Sequence, residues 1–142
     1  MIDSDSDPAT LRKVYFDAWQ KDLQGLPLSP MEAMIADIIK RHPEYHPIFT
    51  QENFEQMQTE KFALDHNPFF HLALHVTVAE QVSSDRPAGI RSLFGKLLNK
   101  YQDQTLVEHK MIECLSHILV ESFMKDSEST EQEYLEGIRK LV

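Results

Sequence analysis

A chain of 142 residues with four glycines, seven prolines and one cysteine has the size of one domain with its own core, and leaves no room for a long flexible linker. Its 23 acidic and 14 basic side chains give a formal charge of −9, which argues against nucleic acid or an anionic membrane as the main partner. Cys114 stands alone, so no intrachain disulfide forms. The start Met-Ile-Asp-Ser-Asp-Ser-Asp is acidic where a secretion leader would be basic and then apolar, and no run of about 18 apolar residues occurs, so a cytoplasmic setting is expected.

Helix signals recur along the chain and strand signals are scarce. Asp7-Pro8 opens a first helix, with Leu11, Tyr15, Trp19 and Leu23 at a spacing of four, closed by Gly25 and Pro27. Ser29-Pro30-Met31-Glu32 has the spacing of a capping box, and Met31, Met34, Ile35, Ile38 and Ile39 follow on one face. That helix should end near Arg41, because His42 and His46 each precede a proline. A short helix from Gln51 to Lys61 is suggested by Phe54 and Met57. Asn67-Pro68 repeats the cap-then-proline signal and starts a helix to about Val82.

Asp85-Arg-Pro-Ala-Gly-Ile is a turn into a helix with Ile90, Leu93, Phe94, Leu97, Leu98 and Tyr101 as its stripe. A long helix runs from Gln104 to about Lys125, with Ile112, Ser116, Leu119, Val120 and Phe123 on its expected apolar side. Residues 126–130 read as a polar loop, and Thr130 caps a last helix through Leu141. The fold class expected is all-α: one domain over residues 1–142, a bundle of five to seven helices.

Chemistry is concentrated in a few positions. His71 and His75 are one turn apart inside the apolar run Phe69 to Val78, so both imidazoles point at a core where an unsatisfied polar group is costly. One buried histidine is ordinarily a core residue bonded to a carbonyl; two on one turn favour a metal. His109 and Glu113 share a face of the long helix in the same way, although an i,i+4 pair worth only ~0.3–0.5 kcal/mol would also explain them. Glu32 and His46 follow as further candidate ligands. The capping box suffices for Glu32, and His42 reads as a cap on the helix exit. His66, His117 and Glu80 read as solvated and Cys114 as a small packing residue.

Other signatures are missing. Leu72 stands where a His-Glu-x-x-His protease has its glutamate, and no Cys-x-x-Cys, Glu-x-x-His, glycine-rich phosphate loop or Gly-x-Ser-x-Gly occurs.

The ordered segments Phe16-Asp-Ala-Trp, Pro30-Met-Glu-Ala-Met-Ile-Ala-Asp, His42-Pro-Glu-Tyr-His, Asn67-Pro-Phe-Phe-His-Leu-Ala-Leu-His, Asp85-Arg-Pro-Ala-Gly-Ile and His109-Lys-Met-Ile-Glu-Cys-Leu resemble the motifs of a family of small bacterial proteins, domain of unknown function 1841. The resemblance runs from the first helix to Tyr134-Leu135. It implies a bacterial origin and carries no activity, substrate or cofactor; its motif segments contain the same Glu32, His42, His46, His71, His75, His109 and Glu113. The layout is also loosely similar to DinB-like and haemerythrin-like bundles, in which inward histidines bind metal.

The sequence therefore predicts a metal-binding helical protein. His71, His75 and His109 are its nitrogen ligands, Glu113 is its carboxylate, and Glu32 and His46 stand behind them. Mixed donors of this kind suit zinc, iron or manganese. A small-molecule substrate and a homo-oligomer are compatible with that reading. The contrasting one is a non-catalytic interaction module in which buried histidines and acids form a hydrogen-bonded network. If the imidazoles share one ion, His109 should lie near His71 and His75.

Overall fold

The computed structural model describes residues 8–57, 67–125 and 131–142. Seven α-helices and one 3-10 run make up the described elements, with no strand among them, which is the all-α class expected from sequence. The helices are α1 (Pro8–Leu23), α2 (Pro30–Lys40), α3 (Gln51–Met57), α4 (Pro68–Ser84), α5 (Ile90–Tyr101), α6 (Gln104–Lys125) and α7 (Glu131–Arg139); the 3-10 run is Pro43–Phe49. None of the described helices is long and apolar enough to cross a membrane. Two compact units divide the chain, residues 1–73 and 74–142. The boundary falls inside α4, so this helix belongs to both.

In the first unit, local chemistry sets each helix end. Gly25 takes a left-handed φ of 70° after α1, and the Leu26 N–H turns back to the Lys21 carbonyl at 2.9 Å. The expected capping box of α2 is present: the Ser29 hydroxyl accepts from the Glu32 N–H at 3.1 Å, and the Glu32 carboxylate accepts from the Ser29 N–H at 2.9 Å. Lys21 donates to the same carboxylate at 2.7 Å. That bond, with the Ser29 amide, holds the Glu32 carboxyl below its usual range.

The first unit's core is aromatic. Phe16 stacks on Phe54 with ring centroids 4.3 Å apart, Phe49 meets Phe69 edge-on at 5.8 Å, and the Arg12 guanidinium lies 4.6 Å from the Phe69 centroid. The Gln20 amide donates to the Phe49 carbonyl at 2.8 Å, tying α1 to the 3-10 run. The even spacing of four read from α1 misplaces its face. Tyr15, Phe16, Ala18 and Trp19 are buried while Leu11 and Leu23 are exposed, because a strict four-residue step drifts around a 3.6-residue helix.

The residues after α2 depart most from the sequence reading. Pro43–Phe49 winds as a 3-10 helix with Pro47 inside it, where no element was expected. His42 before it takes non-helical torsions (φ −123°, ψ 71°), away from the α region that a following proline disfavours. The helix from Gln51 is described to Met57; its expected extension to Lys61, and the reading of His66 as solvated, lie outside the described residues.

In the second unit, α6 packs on α5 and α7, and α5 touches α7. The turn after α4 is organised by Asp85, whose carboxylate accepts from the Gly89 N–H at 3.2 Å and the Arg91 N–H at 3.0 Å, with Gly89 at φ 99°. Asp103 caps α6 by accepting from the Leu106 N–H at 3.1 Å. The buried stripe of α6 is Val107, Glu108, Met111, Ile112 and Leu115; of the expected face Ile112 is buried and Leu119 is exposed, while the side chains of Val120 and Phe123 lie outside those described. The Tyr134 hydroxyl of α7 donates to Gln81 of α4 at 2.7 Å, and burial holds that phenol well above its usual range. The loop over 126–130 and the Thr130 cap lie outside the described residues.

Candidate metal centre

Asn67 fixes the start of the histidine helix. Its side-chain oxygen accepts from the Phe69 N–H at 2.9 Å and the Phe70 N–H at 3.2 Å, the cap its position before Pro68 predicts. Leu72, Leu74, His75, Val76 and Val78 are buried along α4, and His71 is half-buried. One turn apart, His71 and His75 stand about 5–6 Å from each other at Cβ. Each meets a second histidine within its own unit.

In the first unit that histidine is His42, only 2% exposed. The end of α2 leaves carbonyls without helical partners, and His42 Nδ1 lies 2.7 Å from one of them, the Ile38 oxygen. This is the capping role read from sequence. The same contact turns the far side of the ring outward from α2, and His42 Nε2 lies 3.1 Å from His71 Nε2. Two imidazole nitrogens bound at 2.0–2.1 Å to one tetrahedral ion would be about 3.3 Å apart. Tyr45 flanks the pair, stacked on His42 at 5.3 Å and edge-on to His71 at 6.2 Å. Burial, with Glu44 nearby, pushes its phenol up.

In the second unit His75 is fully buried and meets two residues of α6. Its Nε2 is 2.8 Å from the Glu108 carboxylate, and its ring lies edge-on to His109 at a centroid distance of 5.1 Å. Glu108 is itself 3% exposed, and its other oxygen accepts from the Gln104 amide at 3.2 Å.

His42, His71, His75 and His109 form the group among the described residues that is able to hold a metal ion. Of the sequence candidates, His71, His75 and His109 belong to it. Glu113 does not: it is exposed on α6, and the buried carboxylate is Glu108, five residues before it. Glu32 is engaged by Lys21 and its own capping box. His46 has Nε2 on the Ile39 carbonyl at 2.9 Å and its ring against Trp19 at 4.7 Å, outside the group. His117 and Glu80 are exposed, as read. Cys114 is half-buried beside Gly137, and burial, reinforced by Glu113, raises its thiol pKa.

Sequence reasoning missed Glu108 and gave His42 half its role. The signal for Glu108 was present: Glu108, Met111, Ile112 and Leu115 follow the i, i+3, i+4, i+7 rhythm of a buried face. A charged residue in that rhythm marks a paired carboxylate.

The fold and these side chains define a helical protein carrying two fully buried and two half-buried imidazoles, one of them backed by a carboxylate. The chain belongs to the family described as Domain of unknown function (DUF1841), whose model matches residues 7–140. No curated protein and no solved structure matches it.

Proposed function

We propose that the protein binds a divalent transition metal through His42, His71, His75 and His109. The observation that carries this reading is the pairing on α4: two histidines one turn apart, each met by another histidine inside its own unit. Neutral imidazoles are borderline donors suited to zinc, copper, iron and nickel, and an all-nitrogen set disfavours magnesium and calcium. Four imidazoles on one ion would make a closed, structural site. Three with an open position would let the metal polarise a small-molecule substrate or activate water. A cytoplasmic setting belongs to the same proposal.

The test is elemental analysis of protein purified without a histidine tag, followed by titration of metal-free protein with zinc and cobalt. About one equivalent of bound ion is expected, with a cobalt absorption spectrum typical of nitrogen ligation. His42→Ala and His75→Leu should each lower the bound metal, and His117→Leu should leave it unchanged.

A second reading has its own observation. Both fully buried rings already have hydrogen-bond partners, His42 on the Ile38 carbonyl and His75 on Glu108, so the cluster also works as a proton-bearing network that fixes packing. Absence of metal at purification, with no uptake of zinc or cobalt, decides for this network.

A further inference from the structure

We infer that Glu108 is the positioning residue that determines which nitrogen His75 offers to a metal, a deepening that rests on the metal reading above. Glu108 lies on α6, 3% exposed, with a nitrogen at each oxygen: His75 Nε2 at 2.8 Å and the Gln104 amide, which donates, at 3.2 Å. An ionised carboxylate only accepts hydrogen bonds, so two N–H donors suit it and His75 carries its proton on Nε2. The lone pair then sits on Nδ1.

His42 shows the opposite arrangement. A backbone carbonyl also only accepts, so the Ile38 oxygen at 2.7 Å places the proton of His42 on Nδ1. The lone pair is on Nε2, the atom 3.1 Å from His71 Nε2. The two fully buried imidazoles of the group therefore present different nitrogens, one set by a backbone oxygen and the other by a replaceable side chain. A carboxylate behind a ligating histidine fixes ring orientation and tautomer and raises ligand basicity.

The experiment uses the full chain, metal-free and labelled with 15N-histidine, as wild type, Glu108→Ala and Glu108→Gln. Long-range proton–nitrogen spectra read the tautomer of His75, and competition titration with zinc reads affinity. Wild type should show His75 protonated on Nε2. Glu108→Ala should lose that single tautomer and weaken zinc binding about 10–100-fold. Glu108→Gln, whose amide oxygen still accepts from Nε2–H, should keep the tautomer and recover part of the affinity. A wild-type His75 protonated on Nδ1, or unchanged zinc affinity in Glu108→Ala, overturns the inference. Should Glu108→Ala lose its helical circular dichroism, Glu108→Gln decides: a kept tautomer with at most about a tenfold loss supports positioning, and any other result overturns it. Wild type that takes up no zinc overturns the metal reading itself, whereas zinc uptake with an indifferent Glu108→Ala overturns only the role of Glu108.

Discussion

Replacing His75 by Leu tests the buried His75–Glu108 pair independently of any metal. The imidazole is fully buried and its bond to Glu108 is 2.8 Å long. Removing it forfeits a hydrogen bond to a charged group, ~1.5–3 kcal/mol, and leaves a carboxylate buried with less compensation. Breaking one side of a buried pair costs roughly 3–5 kcal/mol, and the added apolar burial of leucine offsets about 1–2 kcal/mol of it. A net loss of roughly 2–3 kcal/mol is expected for His75→Leu in metal-free protein. The double variant His75→Leu, Glu108→Leu removes both polar partners and should lie within about 1 kcal/mol of wild type, since apolar replacements of a buried pair are often neutral. The assay is urea unfolding followed by circular dichroism with chelator present. At a slope of about 2 kcal/mol/M, the single variant should shift the midpoint by roughly 1 M. A single variant within about 0.5 kcal/mol of wild type, or a double variant as unstable as the sum of the singles, refutes the coupling.

Zinc at about a hundred times its dissociation constant should stabilise the native protein by about 2.7 kcal/mol, read as a melting shift that chelator reverses and His117→Leu retains. Gly95 sits in α5 with no atom within 4 Å of the place an added methyl group would take, so Gly95→Ala should gain about 0.8–1 kcal/mol in denaturant unfolding. Gly89→Ala should instead lose about 1–2 kcal/mol, because its φ of 99° suits glycine alone. The folded-state pKa of Glu32 lies below its unfolded value, so its contribution is present above pH 4.5 and is lost as pH falls through the folded value. The stability difference between wild type and Glu32→Gln should therefore shrink on acidification below pH 4.5, and shrink further in salt because the Lys21 pair is partly open to solvent.

Helix ends were legible because they are written in local chemistry: Ser29 with Glu32, Asn67 before Pro68, and Gly25 after α1 are contacts between residues close in sequence. Faces were harder. In α6 both register choices contain enough apolar residues to look buried, and only tertiary packing selects Val107, Glu108, Met111 and Leu115 over Leu119. Glu113 was favoured for its spacing from His109, and that same phase error hid Glu108. The 3-10 run escaped notice because its two prolines argue against a helix, yet Pro43 stands in its first turn and the run has weaker hydrogen-bond demands than an α-helix. His42 could be read as a cap but not as the neighbour of His71, since that contact joins residues 29 positions apart.

α4 runs unbroken through the boundary at Ala73 and Leu74, so each unit contains part of the same helix. Severing the chain there would open about four backbone hydrogen bonds that bridge the cut, and create a fresh pair of helix ends in a segment rich in buried side chains. One fragment would take His71 and the other His75. The histidine helix is therefore one continuous backbone element that gives each unit a turn of its own, as well as the carrier of two imidazoles.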